Sequence, residues 1–149
     1  MRAAGHGLRV CIIQFMKTGE TTGEVVAAKR LQGIEVVQFG TGRFIDPKRV
    51  SRADRAAAKE AVEYLKRKVA AKGCEVLILD EVNVAASFGL VNPAEILKIL
   101  RSRREGVEVV LTGRNAPKEF IAWADYVSMI GSKKHPHTKG LMPRKGVEW

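Results

Sequence analysis

The chain has 149 residues, enough for one domain (1–149) with its own core and no disulfide or metal staple. Hydrophobic residues make up 46% and charged residues 28%, which excludes a disordered or fibrous chain. The formal charge of +10 favours anionic partners, and no apolar run approaches the ~20 residues of a membrane-spanning helix.

The elements alternate. Leu8 to Phe15 reads as a buried strand, Thr22 to Leu31 as a short helix stopped at Gly33, and Ile34 to Phe39 as a second strand. Ser51 to Lys72 is the clearest helix, with Ala58, Val62, Leu65 and Val69 on one face. Ser51 and Asp54 have the spacing of a capping box, and Gly73 supplies a stop. Val76 to Asp80 is a third strand. Asn92, Pro93 and Glu95 mark another helix start, and Arg101, Arg103 and Arg104 suit that helix's negative end. Val107 to Leu111 is a fourth strand, Pro117 opens a short helix with Phe120 and Trp123, and Tyr126 to Ile130 reads as a fifth strand. The tail from Gly131 to Trp149 is basic and irregular. This alternation predicts an α/β fold in three layers, a mainly parallel sheet with helices on both faces.

Cys11 and Cys74 are far apart, without CxxC spacing or a neighbouring His. Cys11 lies in an apolar strand pattern, so a buried free thiol there rather than a disulfide, and a cytoplasmic protein, are expected. Met1 to Gly7 does not read as a signal peptide, because the apolar segment after it breaks at Gln14. The basic groups, such as Lys66/Arg67/Lys68 and Arg101/Arg103/Arg104, read as solvated surface.

Chemistry concentrates at two strand ends. Val76-Leu77-Ile78-Leu79 stops on Asp80 and Glu81, and Val109-Val110-Leu111 stops on Thr112, Gly113 and Arg114. Ligands of open parallel sheets bind outside the carboxyl ends of the strands. Carboxylates there can hold Mg²⁺, or cap a helix, or face solvent. An arginine there can grip phosphate in bidentate fashion, or pair with Asp80 or Asp125. Taken together, the acids and the arginine favour an anion site.

Three further motifs are weaker. Lys134-His135-Pro136-His137 has no third ligand at metal spacing and reads as a loop contacting ligand or partner. Gly40-Thr41-Gly42-Arg43-Phe44 is a glycine turn, not a complete GxGxxG, that lets backbone approach a ligand. Lys17-Thr18-Gly19-Glu20-Thr21-Thr22 lacks the Gly-Lys-Thr order of a phosphate loop, and Glu20 would repel phosphate.

The motifs together resemble the P-loop-type corrinoid adenosyltransferases, which make adenosylcobalamin from ATP and a reduced corrinoid. The stretches that carry the resemblance are Arg2 to Val10, Ile13 to Lys17, Val76 to Asn83, Val109 to Pro117, Ala124 to Val127, and Lys134-His135-Pro136 through Gly140 to Glu148. They span nearly the whole chain in order. The resemblance implies a P-loop NTPase-like fold, ATP with Mg²⁺ as cofactor, a corrinoid substrate and a corrinoid reductant as partner. It implies that Glu81, with Asp80 nearby, holds Mg²⁺. Thr112, Gly113, Arg114 and Asn115 then bind the nucleotide phosphates, and Gly42 and Phe44 face the corrin. No side chain acts as nucleophile or base, because Co(I) attacks the 5′ carbon of ATP and the whole triphosphate leaves.

This sequence departs from the family at two places. Family members carry a strand and a phosphate loop ahead of the Arg2 segment, so the expectation is a sheet missing that first strand, with a gap at its middle. Weak or absent ATP binding is expected with it, and calorimetry tests this. The gap would be filled by another segment or by a homodimer partner pairing at a strand edge, or the strand order would change. Ile45-Asp46 also stand where the family has a Trp region. Two other readings compete: a non-catalytic corrinoid- or nucleotide-binding module, and a nucleic-acid-binding ATPase relative. The last is disfavoured by sparse aromatic residues for base stacking.

Overall fold

In the computed structural model, which describes residues 1–19, 22–71 and 73–147, four strands run parallel in one sheet. They are β1 (Val10–Phe15), β2 (Ile34–Phe39), β3 (Val76–Asp80) and β4 (Glu108–Leu111), in the order β2-β1-β3-β4. The helices are α1 (Arg2–Gly5), α2 (Gly23–Ala28), α3 (Arg52–Ala70), α4 (Val82–Ser87), α5 (Pro93–Arg101) and α6 (Lys118–Trp123). A 3₁₀ turn spans Pro136–Lys139.

The strand order makes the chain wind outward from β1 in two directions. The step to β2 through α2 goes one way, and the step to β3 through α3 goes the other. Right-handed crossovers then put α2 and α3 on opposite faces. Cys11, Ile13 and Phe15 of β1 and Leu77 and Leu79 of β3 form the core with Ala58, Ala61, Val62 and Leu65 of α3. Ile96, Leu97 and Leu100 of α5 close the same cluster. On the other face, Val25 and Ala28 of α2 border a shallow cleft with Ile34 and Val36.

The expected gap in the sheet is not there. β1 and β3 pair directly, from Val10 opposite Val76 to Gln14 opposite Asp80. Both are short runs rich in branched apolar residues, and the shared register lets Ile13 and Leu79 pack side by side.

Local signals hold at the helix starts. Ser51 Oγ accepts the Asp54 amide at 3.2 Å while Asp54 Oδ2 accepts the Ser51 amide at 2.9 Å. Asn92 Oδ1 accepts the Ala94 amide at 2.9 Å, with Pro93 opening α5. The predicted end of α3 at Lys72 lies outside the described residues, and the helix runs to Ala70.

The fifth strand is not formed. Residues 126–130 are irregular, with Tyr126 93% and Ile130 98% exposed. Among the described residues β4 is hydrogen-bonded to β3 alone, so its outer edge is open, but 126–130 lies exposed throughout and buries no apolar face that would offset the ordering of a strand. Two short helices, α1 and α4, have no counterpart in the sequence reading. Glu81, with φ 62°, turns the chain straight from β3 into α4 without a loop.

Candidate functional site at the carboxyl rim of the sheet

Strand order reverses between β1 and β3, so the carboxyl ends of these two strands define the crevice where an open α/β sheet binds ligands. Register puts Gln38, Gln14 and Asp80 side by side there. Thr112, one residue beyond the Leu79–Leu111 pair, extends the row. The four side chains bond in series across the sheet. Gln38 Nε2 donates to Gln14 Oε1 at 2.8 Å, and Gln14 Nε2 donates to Asp80 Oδ2 at 2.9 Å. Thr112 Oγ1 donates to Asp80 Oδ1 at 2.8 Å.

Lys17, in the loop after β1, adds a fourth donor group to this row, with Nζ 2.8 Å from Asp80 Oδ2. Burial opposes the Asp80 charge, but Lys17, Thr112 and Gln14 outweigh it and hold the carboxyl below its ordinary value. Both Asp80 oxygens are therefore engaged. Glu81 differs: among the described residues its carboxylate receives no hydrogen bond. Its amide donates to Thr112 Oγ1 at 3.1 Å, so one threonine hydroxyl orients both acids.

The β4 turn fits closely under Glu81. Gly113 has φ 117°, and a Cβ there would lie 3.2 Å from Glu81 Oε2, Asn83 Cβ and Val84 Cγ2. Asn83 secures the turn through its amide to Thr112 O and its Nδ2 to Gly113 O, both at 3.1 Å. Arg114 leaves this turn exposed, and Asn115 follows in the left-handed region at φ 57°. Glu81 and the Arg114 backbone thus share one rim. The pairing of Arg114 with Asp80 or Asp125 is not formed.

The glycine turn after β2 meets the same rim. A Cβ on Gly40 would lie 2.6 Å from the Lys17 amide nitrogen, and one on Gly42 would lie 2.9 Å from Thr18 Cγ2. Phe44 stands 92% exposed just beyond. Lys134 and His135 lead into the 3₁₀ turn Pro136–Lys139, where the Thr138 amide and hydroxyl donate to the His135 carbonyl. Glu20 and Thr21, next to the Lys17 loop, lie outside the described residues.

Lys17, Gln14, Gln38 and Asn83 were not singled out from the sequence as site residues. Their signal was present as polar residues at or just past strand ends, and the two glutamines are level only once register is known.

The family model for ATP:corrinoid adenosyltransferase BtuR/CobO/CobP matches residues 1–149. The chain belongs to this family. A corrinoid adenosyltransferase of Sinorhizobium sp is 33% identical over 151 residues, covering 99% of this chain and 70% of that protein. The Pseudomonas aeruginosa corrinoid adenosyltransferase is 31% identical, covering 99% of this chain and 73% of its own. That of Escherichia coli strain K12 is 28% identical, covering 99% and 74%. Among the described residues no helix is long and apolar enough to cross a membrane.

Proposed function

We propose that this chain transfers the 5′-deoxyadenosyl group of ATP to the Co(I) centre of a reduced corrinoid. The reading rests on family membership together with one observation: Thr112 ties Asp80 and Glu81 to the same turn that presents Arg114. In the reaction a Co–C5′ bond forms, the C5′–O5′ bond breaks, and the electron pair departs with the triphosphate. The protein's part is to hold the two reactants in line and to neutralise the leaving group.

Glu81 would hold Mg²⁺, since it is the rim carboxylate that accepts no hydrogen bond among the described residues and Mg²⁺ takes one or two carboxylates plus waters. Bound Mg²⁺ would supply charge neutralisation to the phosphates. Asp80, already engaged by Lys17, Gln14 and Thr112, orients the row and does not need to reach the ion. Arg114 is exposed at the rim, and its fork suits two phosphate oxygens. The exposed Phe44 ring offers an apolar face to the corrin, with Gly42 allowing close approach.

The test is direct. The purified protein is mixed anaerobically with MgATP and cob(I)alamin, and adenosylcobalamin is followed by its light-sensitive absorbance. Enzyme-dependent product is expected. Corrinoid binding without any product would favour the non-catalytic module instead, and neither binding nor product would overturn both.

A further inference from the structure

Phe44 is an exposed aromatic residue whose two neighbours are both pinned. Ile45 on one side is 8% exposed. Arg43 on the other donates Nη2 to Ser51 Oγ and, at 3.4 Å, to Asp54 Oδ2. Thr41 Oγ1 donates to Asp54 Oδ1 at 2.8 Å. Asp54 itself is only 4% exposed, and its Oδ2 also accepts the Ser51 amide and hydroxyl at 2.9 and 2.6 Å.

A helix cap needs only the Ser51 bonds. The same carboxylate also takes two donors from a loop 11 and 13 residues upstream, which capping does not require. On the opposite side, Gly40 and Gly42 lie too close to the Lys17 loop for any side chain to intervene. The turn is therefore held between α3 and the rim, and the residue left projecting is an apolar ring in water. Fixing a ring before its ligand arrives removes ordering cost at binding.

We propose that Asp54 is a positioning residue for ligand binding, locking the turn at 40–45 so that Phe44 presents a fixed apolar face to the corrinoid macrocycle. The corrinoid part of this inference rests on the function proposed above. The clamp itself rests on the bonds of Thr41 and Arg43 to Asp54.

The most selective variant is Thr41→Val, which removes one clamp bond and leaves the Ser51–Asp54 cap intact. Asp54→Asn and Phe44→Ala complete the set. Cob(II)alamin affinity is read by absorbance titration, MgATP affinity by calorimetry and folding by thermal melting. We expect Thr41→Val to weaken cob(II)alamin binding about tenfold, the loss carried by one hydrogen bond to a charged group. MgATP affinity should stay within about twofold, and Thr41→Val should add nothing in a Phe44→Ala background.

If Phe44→Ala weakens cob(II)alamin binding but Thr41→Val does not, or if the two losses multiply, the clamp is wrong and the corrin-facing role of Phe44 stands. If Phe44→Ala has no effect, that role falls. A ligand-free measurement then decides the clamp. With Phe44→Trp as reporter, fluorescence anisotropy above the wild-type background should drop when Thr41→Val is added, and unchanged anisotropy would sink the clamp.

Discussion

Lys17 and Asp80, 63 residues apart in sequence, meet at 2.8 Å across the point where strand order reverses. The pair joins the loop after β1 to the end of β3, and Thr112 bonds the far oxygen of the same carboxylate. These two of Asp80's three partners differ in setting. The Lys17 and Asp80 side chains are 40% and 23% exposed, while Thr112 is tied on two sides, to Asp80 and to the Glu81 amide.

That difference predicts an order of effects on stability. Lys17→Ala removes a partly solvated ion pair and should cost less than about 1 kcal/mol. Thr112→Val removes a hydroxyl that serves two groups and leaves both short of a partner. It should cost about 1–3 kcal/mol. Urea unfolding of the two variants checks this, and a larger loss for Lys17→Ala would remove Thr112 as the keystone of the row.

Arg114 predicts the reverse balance between folding and binding. It is exposed and makes no ion pair among the described residues, so Arg114→Ala should leave unfolding within about 0.5 kcal/mol of the parent. If its guanidinium grips phosphate, MgATP binding should weaken by ~1.5–3 kcal/mol, the range for a charged hydrogen bond. Calorimetry reads this, and unchanged affinity would take Arg114 out of the site.

Cys11 and Cys74 are both free and buried. Burial first, and then the Cys74 thiol beside it, push the Cys11 thiol up to about 12. It therefore stays protonated at neutral pH, and the protonated thiol is a poor nucleophile. Ellman's reagent should label neither cysteine of the native protein on the time scale of minutes and both in denaturant. Rapid native labelling of Cys11 would contradict its packing.

Much of this was legible in the sequence because local signals and burial agreed. Ile34 to Phe39 and Val76 to Asp80 read as strands and are strands, and Ser51, Asp54, Asn92 and Pro93 sit at the helix starts that they marked. Tyr126 to Ile130 has an equally strand-like pattern but no ladder, because pattern reports side-chain character and not whether the segment is buried against a neighbour, and 126–130 is exposed beside an open β4 edge. α4 was hidden for a different reason. Its entry depends on Glu81 at φ 62°, a conformation that nothing in a glutamate announces. Asp80, Glu81, Thr112 and Gly113 were legible because they end apolar runs. Lys17 was legible in a failed phosphate-loop pattern and in the Ile13 to Lys17 stretch, but not as a partner of Asp80, since that pairing is fixed by strand order. Asp54 read as a cap, and its second job, holding Thr41 and Arg43, depends on where the loop after β2 travels.

That second job also gives Asp54 a pH signature. Hydrogen bonds from the Ser51 side chain, then from its amide and from Thr41, outweigh burial and bring the Asp54 carboxyl from an ordinary 3.8 to about 2. Between those values the unfolded chain binds more protons at this site than the folded one, so stability rises with pH there. The contribution is complete above pH ~4 and is lost as pH falls towards about 2. Asp54→Ala abolishes it at every pH, along with a pH-independent part from the stranded Thr41 and Ser51 donors. The stability gap between parent and Asp54→Ala, measured by urea unfolding at pH 6, 4 and 3, should therefore be level from 6 to 4 and narrower at 3. A gap of constant size down to pH 3 would mean that the carboxylate is not held in its charged form by the turn, and the clamp on Phe44 would lose its electrostatic basis.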